Sequence, residues 1–184
     1  MTPGKVLVFL RSCFFTTPPR LELATYIQPR NLVRGFLIYA AGDTAAALLL
    51  HEFSWSRLIG MALIGGLLYS VEVPAYFRWI DNRLPPGPGA SAGRRWGRAA
   101  LSLAYFNPLW IARHFVFLRL VSGHPEQVTL DLLPLATKSF LINAPVSLLV
   151  NYYIQNKVSA EWRFVASAIF SGIMAVYYAV SATW

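Results

Sequence analysis

Long apolar stretches alternate along the chain with short segments rich in polar residues, proline and glycine. Residues 35–50 read GFLIYAAGDTAAALLL, with Asp43 as the one charge. At about 1.5 Å per helical residue, this run with a modest extension crosses roughly 30 Å of hydrocarbon, so a first transmembrane helix is expected over 35–51. A second is expected over 58–79. It contains Glu72 and Pro74, and it spans if it is kinked or if Glu72 faces protein. Residues 84–98, LPPGPGASAGRRWGR, combine proline, glycine and arginine and read as a solvated loop. A third helix is expected over 99–120, carrying Pro108 and Arg113, and residues 122–127, SGHPEQ, form the next turn. The fourth helix covers 130–154, with Lys138, Asn143, Pro145 and Asn151 inside it, and the fifth covers 162–183. The fold class that follows is an all-α, polytopic transmembrane helical bundle of about five spans, occupying residues 35–184.

Two further patterns refine this picture. In the fifth helix, small residues recur every fourth position at Ser167, Ser171, Ala175 and Ala179. Such a narrow smooth stripe lets another helix backbone approach closely, so it is expected to be a packing face. The first 34 residues contain KVLVFLRSCFF, then Arg20, Arg30 and Arg34, with Glu22 as the one acid. That basic, acid-poor character resembles a mitochondrial leader. Retained on the chain, the segment is expected to be a basic N-terminal arm, lying in the membrane interface or clasping a neighbour.

Composition agrees with a membrane protein. Of the 184 residues, 56% are hydrophobic and 13% charged, whereas a soluble domain has roughly 45–50% and 25%. Cys13 is the single cysteine and the three histidines are scattered, which excludes an internal disulfide and a CxxC metal motif. The formal net charge is +8, and a nucleic-acid ligand would be one explanation. Its distribution offers another. With five spans, twelve lysines and arginines fall on the side of the N-terminal arm, while Arg57 and Arg119 fall on the other. Such asymmetry follows the positive-inside rule, so nucleic acid is not needed. Arg83, Arg94, Arg95 and Arg98 on the basic side are candidates for holding lipid headgroups, cardiolipin among them. Topology alone accounts for the same charges.

Asp43, Glu72, Arg113 and Lys138 lie within the expected spans. An ionised residue at a helix centre costs about 2.5–3.5 kcal/mol on insertion scales, so each must face protein or a watery cavity. Two readings follow: Asp43 and Glu72 line a polar passage, or the acids and bases form buried ion pairs that lock the bundle. No Ser–His–Asp arrangement, phosphate-cradling glycine loop or closely paired carboxylates stand in the sequence, so neither an enzyme nor a bound cofactor or metal is expected.

Arg57, Gly65, Tyr76 with Phe77, Asp81 and Pro85 occur in order within residues 57–87. This spacing resembles the second-helix region of the Mpv-seventeen and peroxisomal-membrane-protein family. Gly42 with Asp43 is similar to that family's Gly-Asp in its first helix. Pro145 and Asn151 with Tyr152 match the spacing of its Trp-Pro-x-x-Gln-x-x-Asn-Phe element, and Arg163 and Ser181 stand near its closing Arg and Leu-Ser. The resemblance implies a small polytopic protein of the mitochondrial inner membrane or, alternatively, of peroxisomes, and a nonselective channel for small solutes. Several polar positions of the family are apolar here: its glutamines fall on Ala47 and Leu148, and its Asp-Gln falls on Ser102 and Leu103. With those residues lost, the expected role is a non-catalytic accessory subunit of a larger mitochondrial inner-membrane complex, with lipids and other subunits as partners. A channel is the alternative. A third reading is a lipid-organising protein anchored by Trp96, Trp110, Trp162 and Trp184.

Overall fold

The computed structural model describes residues 27–181, with side chains to residue 176. Most of the expected N-terminal arm, residues 1–26, lies outside them. The described chain is helical without strands. Helix α1 is Pro29–Leu49, α2 is Trp55–Arg83, α3 is Ala92–Tyr105, α4 is Pro108–Val121, α5 is Leu132–Lys157 and α6 is Ala160–Ser181. Of these, α1, α2 and α5 are long and apolar enough to cross a membrane, at 21, 29 and 26 residues.

Local chemistry sets the boundaries. Pro29 opens α1, where its missing N–H costs nothing. At the other end His51 takes a left-handed φ of 57°. Its N–H donates to the Leu48 carbonyl and that of Glu52 to the Ala47 carbonyl. These paired bonds close the last turn and start the reversal into α2. Ser54 caps α2 by accepting from the Arg57 N–H at 3.3 Å.

Within α2, buried residues fall on every fourth position: Arg57, Met61, Gly65, Tyr69, Val73 and Phe77. Four residues overshoot an α-helical turn by about 40°, so this series would wind away from the core in a regular helix. The segment Ile64–Tyr69 is a π-helix instead. Its wider turn removes part of the drift and keeps both halves of α2 facing inward.

The third expected span, 99–120, is not one helix. It is replaced by α3 and α4, each of 14 residues. At about 1.5 Å per residue each is roughly 21 Å long, too short to span alone. Asn107 makes the break: its Oδ1 accepts from the N–H groups of Leu109 and Trp110, with Pro108 at the first position of α4. The expected loop over 84–98 is shorter too, because Ser91 caps α3 and brings Arg94, Arg95 and Arg98 onto the helix. Helix α3 runs antiparallel to α5, since Arg98 meets Gln155 while Ser102 meets Asn151.

The core gathers Tyr39, Tyr69, Val73, Phe77, Ile80, Phe164 and Ala168. Glycines allow its tightest crossings. A Cβ on Gly35 would collide with the Gly65 backbone, and one on Gly42 would stand 3.0 Å from the Gly172 Cα. The close approach of α6 to α1 therefore falls at Gly172, beside the expected stripe. Ser167 of that stripe is buried and Ser171 and Ala175 are half-buried, while the Ala179 side chain lies outside the described residues. Leucines such as Leu37, Leu109 and Leu141 point outward, which suits a surface solvated by lipid.

Backbone cannot yield as a side chain can, so Gly35→Val is expected to destabilise the bundle by at least about 1–3 kcal/mol. Gly93→Ala, with nothing within 4 Å of its added methyl, serves as the comparison and is expected to be neutral or better. Thermal unfolding in detergent, followed by circular dichroism, checks both.

Candidate functional site

Residues of all six helices line a half-open chamber of about 760 Å³. Its wall is largely apolar, but one strip is not. On α5, Ser139, Asn143, Ser147 and Asn151 stand four residues apart and all line the chamber. Near the α1–α2 reversal the wall becomes charged, with Asp43, Glu52, Arg57, Arg119 and Lys138.

Asp43 and Arg57 form a two-pronged ion pair: Nε donates to Oδ2 at 2.9 Å and Nη2 to Oδ1 at 3.0 Å. Both side chains are below a tenth exposed. The sharp reversal after His51 makes the pair possible, returning α2 alongside the last turns of α1. Glu52, in that reversal, accepts from Arg57 Nη1 at 3.0 Å. One guanidinium thus serves two carboxylates.

Glu72 does not reach the chamber. It accepts two bonds from Arg113, at 3.0 and 2.9 Å, on the flank between α2 and α4. Rings of Tyr69, Trp110 and Phe117 stand 5.7–6.0 Å from that guanidinium. The expected passage lined by Asp43 and Glu72 is therefore corrected: Asp43 is on the wall, and Glu72 belongs to a lateral clasp. Lys138 is on the wall and has no ion-pair partner among the described residues.

At the opposite end a polar chain closes the bundle. Asp81 of α2 accepts from Arg98 of α3 at 2.6 Å and, through both oxygens, from Arg163 of α6 at 2.8 Å. Arg98 also donates to the Gln155 carbonyl at 2.8 Å. The amide of Gln155 donates to Ser102, whose hydroxyl donates to Asn151 at 2.6 Å. Arg98 is wholly buried, so of the four expected headgroup ligands it is the one withdrawn from any lipid. Arg83 lies over the Trp79 ring at 4.8 Å, Arg95 donates to the Pro88 carbonyl, and both stay at the surface with Arg94.

Sequence reasoning singles out Asn143 and Asn151 but misses Ser139, Ser147 and Gln155, although a polar residue every fourth position in an apolar helix is a readable signal. Arg57 and Arg119, expected on the side opposite the N-terminal arm, prove to be wall residues. No family model, curated protein or solved structure matches the chain.

Removing one member of a buried ion pair strands the other, at a cost of about 3–5 kcal/mol. Arg57→Gln is expected to lose about that much, and adding Asp43→Asn to recover most of it. Glu72→Gln is expected to cost less, because Arg113 is 35% exposed and the amide oxygen can still accept one of its bonds. Denaturation in mixed detergent micelles measures all three.

Proposed function

We propose that this protein is a conduit for small polar solutes in the mitochondrial inner membrane, working without covalent chemistry. The observation that carries the reading is the chamber: a half-open space of about 760 Å³ between the helices, with a four-residue polar strip and charged groups at one end. Asn143 of that strip keeps its Oδ1 buried without a hydrogen-bond partner among the described residues, a cost that a bundle serving purely as scaffold has no reason to bear. Five crossings are part of the proposal, with α3 and α4 together making the third.

Two observations support the orientation and the family likeness. The N-terminal ends of α1 and α6 are joined where Arg34 lies 4.2 Å over the Trp162 ring, which groups the basic segments on one face. Residues that carry the resemblance to the Mpv-seventeen and peroxisomal-membrane-protein family also meet in space, Asp43 with Arg57 and Asp81 with Arg163. The accessory-subunit reading rests instead on the N-terminal arm and on lost polar positions.

Reconstitution of the full chain in liposomes tests the proposal. Erythritol efflux well above that of empty vesicles is expected. Asn143→Trp, which puts a large ring into the chamber, is expected to abolish it while leaving helical content unchanged. Tight vesicles, with the native protein migrating inside a larger complex, would establish the accessory-subunit role in its place.

A further inference from the structure

The charges on the chamber wall are not balanced in space. Its two acids, Asp43 and Glu52, are both held by Arg57. The wall has two more cations, Arg119 near the end of α4 and Lys138 near the start of α5. Neither makes an ion pair or a side-chain hydrogen bond with any described residue. Both belong to the end at which α1 turns into α2 and α4 turns into α5. Packing fixes the level of Arg119 against Arg57, because Gly60 of α2 lies directly against the Val121 side chain of α4.

The lining thus carries three cations against two acids and forms an electropositive mouth; Glu126 and Asp131, in the turn between α4 and α5, are not part of it, Glu126 lying beside His124 and Asp131 accepting from Thr129. Low-dielectric walls concentrate that field, raising the local concentration of anions above that of neutral or cationic solutes. Farther in, Asn143 has its Oδ1 buried without a hydrogen-bond partner, so a polar group is also placed to meet an entering molecule. Charged at one end and able to hydrogen-bond along one strip, the chamber complements a small organic anion better than a sugar or an amine.

Resting on the conduit reading above, we infer that Arg119 and Lys138 form an anion-binding mouth that admits solutes carrying a carboxylate or phosphate. The same group can arrive from water on a free metabolite or from the bilayer on an anionic lipid headgroup.

Flux of succinate, erythritol and choline through the reconstituted full chain reads the selectivity directly. In phosphatidylcholine vesicles, succinate is expected to lead, and Arg119→Gln with Lys138→Gln is expected to lower the succinate-to-erythritol ratio about tenfold, as loss of close charge contacts does. Lys138→Glu, a single change at an exposed position, is the second variant and is expected to turn the preference toward choline. Phosphatidylglycerol distinguishes the sources. If it suppresses succinate flux, and one such lipid stays bound in native mass spectra of the wild type but not of the double variant, the anion is a headgroup. Equal passage of all three solutes, unchanged in the variants, would overturn the anion site and leave the conduit standing. Passage of none would overturn the conduit and the mouth together.

Discussion

Asp81 is gripped from two sides, by Arg98 and by Arg163, and the rest of the bundle is arranged around the need to keep that carboxylate charged within the protein. In an apolar setting an acid without a partner is expensive, and so is a guanidinium. The solution draws α2, α3 and α6 together at one point, and the Gln155 carbonyl brings in α5. Asp43 with Arg57 applies the same constraint at the other end, joining α1 to α2. Between these two ends the helices are free to part, and there the chamber lies.

The two ends are built differently. Around Asp81 the bonds run on through Gln155 and Ser102 to Asn151, with little polar capacity left over. Around Arg57 one guanidinium is shared between a buried acid and a half-exposed one, and two neighbouring cations have no ion-pair partner among the described residues. One end is saturated, the other open to further electrostatic interaction. The contrast is what separates a structural clamp from a surface with capacity to bind.

Much of this was legible in the residues. Apolar runs overlap α1, α2, α5 and α6, because burial in lipid and burial in protein demand the same composition, although α1 begins six residues before the expected 35, at Pro29. Periodicity was silent about Asn107, whose side chain caps one helix and so ends the run that precedes it. Hydropathy averages over that residue. The cost of an intramembrane charge is readable in sequence, but not which acid meets which base; Glu72 lies against Arg113. The identity of the Asp43 partner was not readable either, since Arg57 sits just outside the second apolar run and comes into reach only after the reversal at His51. Pairing across a turn depends on where the helix stops, and a left-handed histidine gives no warning of that in sequence.

The pairings also differ in how far apart their members lie along the chain: 14 residues for Asp43 and Arg57, 41 for Glu72 and Arg113, and 82 for Asp81 and Arg163. Synthesis proceeds from the N-terminus, so the first pair can close as soon as α2 emerges, and the second once α4 follows. Asp81 has to wait for α6, the last helix among the described residues. Until then its carboxylate has a single arginine, and the saturated end of the bundle stays unfinished. Emergence of α6 is thereby coupled to closure of that end, and a protein truncated before residue 163 would lack both the second arginine on Asp81 and the wall that α6 gives the chamber.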